Sequence, residues 1–182
     1  MKKFYKFNFK LLITLLLVSN FSVAQTNVFD DVIATSPNHT YLETALLQEG
    51  LDAALRQNTN CTVFAPDDSA FNKLATALNT TISGLLALPN LSDILTYHVL
   101  GSTILSTGIS NGAIVNPLST TNTLKLTKTS TGKVFINHSQ VSTADLTATN
   151  GAVHVVSDVL LPKETVADIA IDNGFTTLVT AV

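Results

Sequence analysis

The chain has no tryptophan and a single cysteine, and only 13% of its 182 residues are charged. One cysteine cannot build an internal disulfide framework, so whatever folds here folds without one. Low charge beside a 46% apolar composition is the reverse of the balance that keeps a chain disordered. A formal net charge of −3 provides no broad basic surface, which argues against a nucleic-acid binder. The length suits one domain, or little more.

The apolar excess is concentrated at the start. Lys2, Lys3, Lys6 and Lys10 precede the apolar run from Leu11 to Val18, and Ser22-Val23-Ala24 follows with small residues. This order is that of a secretory signal peptide over residues 1–24, cleaved between Ala24 and Gln25. The run is shorter than the ~20 residues of a comfortable membrane span, which disfavours the alternative of an uncleaved anchor. No cysteine stands at the cleavage point, so a bacterial lipid anchor is not indicated. Removing the signal leaves six basic against thirteen acidic residues, a mature charge of −7. The expectation is an exported protein that is secreted, extracellular or held in the cell envelope. It has no membrane span in the mature chain and no surface for nucleic acid or anionic lipid. Asn-x-Ser/Thr sequons occur at Asn38, Asn60, Asn79, Asn90 and Asn137. Composition explains most of them in a chain this rich in Asn and Thr.

Helical spacing comes first along the mature chain. Val28, Phe29, Val32 and Ile33 share a face that ends at Pro37, and Tyr41, Leu42, Ala45 and Leu46 form another closed by Gly50. Leu51 to Leu55 is read as leading into the sheet. Cys61 to Ala65 is a short strand, after which Asp67 caps a helix carrying Phe71, Leu74, Ala75 and Leu78. Ile82 to Leu88 is a short helix ended by Pro89. Asn90 is read as the cap of another, bearing Leu91, Ile94, Leu95 and His98 and limited by Gly101. Residues 102–118 are read as short turns and strands. From residue 122 the period becomes two. Leu124 to Lys128 and Val134 to Ile136 form a hairpin around Ser130-Thr131-Gly132-Lys133. Asn150-Gly151 is read as a two-residue turn between Ala144–Thr149 and Ala152–Val156. Helices first and strands later predict an α+β domain.

The side chains that could carry chemistry do not converge in the sequence. His39, His98, His138 and His154 lack metal-ligand spacing, and a zinc site needs three or four converging ligands. His98 and His154 are expected in the interior, hydrogen-bonded, with His39 and His138 on loops. Asp67 and Asp68 suit a helix cap and its dipole better than an acid/base pair. Ser69, Ser102 and Ser157 have no nucleophile-elbow context. Cys61 opens an apolar strand and is expected to be buried. No phosphate-binding glycine loop is present. No cofactor, metal or catalytic residue is assigned, and the chain is read as a non-enzyme.

Three stretches together resemble the fasciclin domain. Thr62 to Phe71 is similar to the family's first box, a strand ending in Ala-Pro that hands over to a capped helix. Tyr97-His98-Val99-Leu100 resembles its central Tyr-His pair. Asn150-Gly151-Ala152-Val153-His154-Val155-Val156-Ser157-Asp158-Val159-Leu160-Leu161-Pro162 resembles its second box. The likeness spans about residues 26–163, within a domain assigned to 25–163. Asp67 replaces the family's usual hydroxyl residue, and Ser157 replaces a usual Asp. The resemblance implies a fasciclin-like β-wedge or sandwich with several helices packed on it, and extracellular placement. It also implies adhesion through protein or surface-polysaccharide partners. Tyr97 and His98 are the partner-binding candidates it carries, against the plainer reading that both are core with satisfied polar tips. A structural role in an envelope or biofilm matrix is the alternative, and an exported enzyme ranks last.

The end of the chain repeats its beginning. Thr176 to Val182 corresponds at five positions to Thr40 to Leu46, offset by 136 residues. Following a domain with this resemblance, residues 164–182 read as the truncated start of a second copy in a tandem array. Such a segment is expected to be poorly ordered or loosely docked, since its apolar faces have no sheet of their own to cover.

Overall fold

The computed structural model describes residues 26–119 and 122–162. The expected signal peptide, residues 1–24, and the expected start of a second copy, residues 164–182, lie outside the described residues. The chain opens with a single π-helical turn, Val28–Ile33. Helices α1 (Thr40–Gln48) and α2 (Asp52–Gln57) follow, then strand β1 (Cys61–Pro66). Next come α3 (Asp68–Ala77), α4 (Ile82–Leu86), α5 (Leu91–Tyr97) and β2 (Val99–Leu100). After a 3-10 turn at Ser106–Gly108 the rest is strand: β3 (Ala113–Val115), β4 (Leu124–Lys128), β5 (Val134–Ile136), β6 (Ser139–Ala148) and β7 (Gly151–Val156). The segment after Gly50 thus forms helix α2 rather than an entry to the sheet. Gly50 itself, at φ +67°, ends α1 as a left-handed C-terminal residue should.

The strands form one mixed sheet in the order β2-β1-β7-β6-β5-β4-β3. Among the described residues only β1 and β7 pair in parallel, from Cys61↔Gly151 to Pro66↔Val156. This pair is buried along its whole length, and strand alternation therefore feeds two cores. Val63, Ala65 and Val153 face the helices together with Phe29, Leu42, Phe71 and Leu95. Phe64 and Val156 point the other way, into a second core with Tyr97, Leu100, Leu124, Leu126, Ile136 and Leu160. The sheet folds over this second core because β6 carries two register shifts, between Val141 and Thr143 and between Thr143 and Leu146. Asp145, at φ +60°, sits inside the second irregularity. Bulges increase local twist and bend a strand, which makes β6 the fold line of the wedge.

Long-range polar contacts hold the helical layer to the sheet. The Asn150 side chain is 3% exposed. Its Oδ1 accepts the Val28 N–H at 2.9 Å, and its Nδ2 donates to the Leu55 carbonyl at 2.7 Å. The predicted turn is displaced by one residue. Ala148 pairs with Gly151, so Thr149-Asn150 makes the loop and Gly151 belongs to β7. The smallness of Gly151 serves a close backbone approach rather than a turn. A Cβ there would stand 2.2 Å from the Cys61 carbonyl oxygen.

Asp67 caps α3 as expected, accepting the Ala70 N–H at 2.7 Å. Asp68 stands in the first turn of α3 and also serves another helix. Its carboxylate accepts the Tyr41 N–H at 3.0 Å and the Thr40 hydroxyl at 2.8 Å. It thereby supplies the cap that His39, at the N-terminus of α1, does not provide. Asp68→Ala should cost about 1 kcal/mol, the usual loss for an N-cap carboxylate, read as a lowered urea midpoint with an unchanged slope. Asn90 occupies the capping position of α5 but makes no capping bond, and its Oδ1 is buried without a partner.

Candidate functional site

Tyr97 and His98 end helix α5 between the two cores, and each is 2% exposed. His98 is spent on the fold. Its Nδ1–H donates to the Ile94 carbonyl at 2.7 Å, and its Nε2 accepts the Leu160 N–H at 2.9 Å. The ring is therefore a neutral imidazole with its proton on Nδ1. Complete burial pushes its pKa down to about 4, against a smaller upward pull from the Ile94 carbonyl. The bond from Leu160 fastens the strap Val159–Leu161 to the end of α5.

Tyr97 reaches further. Its hydroxyl donates to the Thr123 carbonyl at 2.9 Å and accepts from Asn137 Nδ2 at 3.3 Å. Both partners, with Tyr97 itself, line a groove of about 830 Å³. One wall is the α3 face Lys73, Leu74 and Ala77, the other is Ile114 with Lys125, and the strap residues Asp158, Val159 and Leu161 close one side. Asn137, at φ +53°, turns the chain from β5 into β6. It pairs with Lys125 through two bonds, Lys125 N–H to Asn137 Oδ1 at 2.9 Å and Asn137 N–H to the Lys125 carbonyl at 2.7 Å. With its Nδ2 on the Tyr97 hydroxyl, this sequon is built into the groove floor. Tyr97→Phe should cost about 1 kcal/mol for the lost hydrogen bond, with the fold retained, as read by urea denaturation and by the amide spectrum.

The groove carries three cationic or ionisable groups against one carboxylate. Lys73 Nζ donates to the Ser157 carbonyl at 2.8 Å and pairs with Asp158 at 3.3 Å. Burial pushes Asp158 up, but the Ser157 hydroxyl, Lys73 and the nearby His138 outweigh it and hold the carboxyl below its usual range. Ser157 does this by donating to Asp158 Oδ2 at 2.7 Å. The same hydroxyl accepts the Gln140 N–H at 3.2 Å. Serine thus keeps a polar contact at the place where the resembled pattern has Asp. The Lys125 ammonium is exposed at the rim, and Ile114 is 69% exposed, the most of any large apolar side chain among the described residues. Asn122 Nδ2 is buried in the lining without a hydrogen-bond partner.

The other candidates are placed apart. His154 is fully buried and stacked on Phe64 at 5.9 Å between ring centroids. Its Nδ1 accepts the Asp145 N–H at 3.3 Å and its Nε2–H donates to the Ile104 carbonyl at 2.8 Å. Asp145 takes two bonds from Ser106, from the hydroxyl at 2.5 Å and from the N–H at 2.7 Å. The Ser106 hydroxyl is the main cause holding its carboxyl below the usual range, despite partial burial. The Ser106 hydroxyl donates to the Asp145 carboxylate and not to an imidazole. His39 lies on the loop that leads into α1, as expected, and is buried there. Burial lowers its pKa, with Asp67 and Asp68 opposing. Cys61 is fully buried, and burial raises its thiol pKa. Among the described residues no group of three or more His, Cys, Asp or Glu could hold a metal ion. No helix among them is long and apolar enough to cross a membrane.

Sequence reasoning did not find the groove, because its walls come from α3, β3–β4 and the strap, far apart in the chain. Residues 150, 145 and 68 are likewise partnered across 122, 39 and 27 positions respectively, and no local spacing signals such bonds.

Known proteins share this fold. A family model described as the fasciclin domain matches residues 37–162. Protein sll1483 of Synechocystis is 33% identical over 135 residues, covering 72% of this chain and 72% of its own. The transforming growth factor-beta-induced protein ig-h3 of Sus scrofa is 33% identical over 132 residues, 72% of this chain but only 19% of that protein. The FAS1 domain pair of the insect cell adhesion molecule Fasciclin I superposes with a TM-score of 0.60 at 16% identity, over 72% of this chain and 50% of that one. Family match, shared fold and the two boxes meeting as the parallel β1–β7 pair agree: the chain belongs to the fasciclin domain family.

Proposed function

We propose that the protein is a secreted or cell-surface adhesion module, non-enzymatic, binding protein or glycan partners through the groove over Tyr97. Family membership supports the class, and the groove is the observation that supports the place. It is open, lined by apolar and cationic groups, and held at its floor by Tyr97 and at its strap by His98. In this reading both residues of the Tyr-His pair act on partners by fixing the surface rather than by lying on it. The Ser106 hydroxyl and the His154 imidazole are occupied by internal bonds, which supports binding over catalysis. Tandem copies would raise avidity by placing linked grooves at high effective concentration.

Saturable binding of the purified protein to the surface of the cells that make it, or to their extracellular polymers, is the expected result. Retention in the envelope without saturable binding would favour a structural matrix role instead. Turnover of an ester, peptide or glycoside panel would contradict the non-enzymatic reading.

A further inference from the structure

The groove over Tyr97 is rich in hydrogen-bond donors, and its acceptors are already engaged. Asn122 Nδ2 is buried in the lining and has no partner among the described residues. Lys125 and His138 line the groove and are exposed. Asn137 Nδ2 spends one N–H on the Tyr97 hydroxyl, and an amide nitrogen carries two. On the acceptor side, Asp158 takes Lys73 at 3.3 Å on Oδ1 and the Ser157 hydroxyl at 2.7 Å on Oδ2. The Thr123 carbonyl takes the Tyr97 hydroxyl, and the Lys125 carbonyl takes the Asn137 N–H. A buried donor left without an acceptor costs free energy, so an acceptor-rich ligand gains most here. The strand that carries Lys125, β4, is paired on both sides by β3 and β5 and offers an extended peptide no free edge. Beside the donors, Ile114, Leu74, Ala77 and Leu161 form apolar wall, against which the C–H face of a sugar ring packs. The volume of about 830 Å³ falls in the range of clefts that hold a small ligand, about 300–1,000 Å³.

We propose that the groove binds a uronate unit of an acidic polysaccharide, its carboxylate on Lys125, its ring oxygens on Asn122 Nδ2 and its apolar face on Ile114. This rests on the groove being the interaction surface and names the chemistry it takes. Within a chain of net charge −3, the groove gathers Lys73, Lys125 and His138 against one carboxylate, Asp158. Asp158 also sets a limit, because like charges placed together are costly and a more highly charged group would be repelled. A uronate carries a single charge on each ring. A polymer presents that unit many times, so a weak contact at one groove adds up wherever copies of the protein stand side by side.

The test is ¹⁵N shift mapping of the purified protein titrated with trigalacturonate, beside the neutral trimer of galactose and the acidic peptide triglutamate. The proposal predicts saturable shifts at the side-chain amides of Asn122 and Asn137 with trigalacturonate, weakening as salt rises. Both other probes should bind at least tenfold more weakly. Lys125→Glu and Asn122→Leu should each weaken trigalacturonate binding at least tenfold. Asn122→Leu should do so without lowering the urea midpoint, because replacing an unpartnered donor by an apolar side chain of similar shape costs little. A purely structural Asn122 would instead move the midpoint and leave binding alone. Equal binding of the neutral trimer, tighter binding of triglutamate, variants that bind as the parent does, or no binding of trigalacturonate would each overturn the proposal. In any of these cases, attachment to the producing cells that is lost in Ile114→Asp and Lys125→Glu would keep the groove as the interaction surface and remove only the uronate as its ligand.

Discussion

Gly151→Ala should be the most damaging single methyl in the domain. Its added Cβ would meet the Cys61 carbonyl oxygen at 2.2 Å, the Cys61 Sγ at 2.9 Å and the Cys61 carbonyl carbon at 3.0 Å. Two of these three atoms are backbone in a fully buried strand, so no side chain can swing aside. Gly151 pairs with Cys61 at the start of the parallel β1–β7 ladder, and the Cys61 N–H donates to the Asn150 carbonyl at 3.1 Å. Relief of the clash means parting β1 from β7, which both cores share. A strand glycine at a close backbone approach is a recognised reason for such intolerance. Overpacking and strain of this kind fall in the large tail of mutational effects, about 3–5 kcal/mol, enough to unfold a domain of ordinary stability. Urea denaturation gives the size, and loss of soluble folded protein is the extreme outcome. A midpoint within experimental error of the parent would contradict the close-approach account.

Acid should unfold the domain through His98. The ring is neutral in the fold, with its pKa near 4 against an ordinary 6.5. Below 6.5 the unfolded chain takes up a proton that the folded chain refuses, so stability is complete above 6.5 and falls as pH drops toward 4. At about 1.4 kcal/mol per pKa unit the loss amounts to about 3 kcal/mol. The mechanism is local. A proton on Nε2 would set an N–H donor against the Leu160 N–H, which it now accepts at 2.9 Å. The strap would then lose its anchor and the groove its side wall. His39, whose pKa burial also lowers, adds to the loss with the same sign. Asp145 and Asp158 act elsewhere. Their pKa values lie below 3.8, so their contributions persist until pH falls below that value. Urea unfolding from pH 7 to 4 should show the slope in the parent, and His98→Gln should remove most of it. An unchanged slope in that variant would contradict the assignment.

Much of this fold was legible because its signals are local. Helical periodicity marked α1 and α3, the Ala65-Pro66-Asp67 junction marked the handover from β1 to α3, and alternation marked the β4–β5 hairpin. The failures share one cause. Asn150-Gly151 has the composition of a tight hairpin turn, but tertiary contacts claim both residues. Asn150 anchors the first turn and α2, and Gly151 clears space for β1. Asp68 stands in the first turn of its own helix as expected, but its cap of α1 spans 27 residues and leaves no local signal. Leu51–Leu55 lacked enough residues for period to separate helix from strand. Tyr97 and His98 were legible as a pair but not as to role. Only the fold shows that one supports a groove floor while the other pins its strap.

The account rests most on the groove being the working surface of an adhesion module. Binding of the labelled protein to the cells that produce it tests this directly, with the parent compared to Ile114→Asp and Lys125→Glu. The account predicts saturable binding by the parent and at least tenfold weaker binding by both variants, about 1.4 kcal/mol or more, with thermal stability unchanged. Equal binding by parent and variants would contradict it.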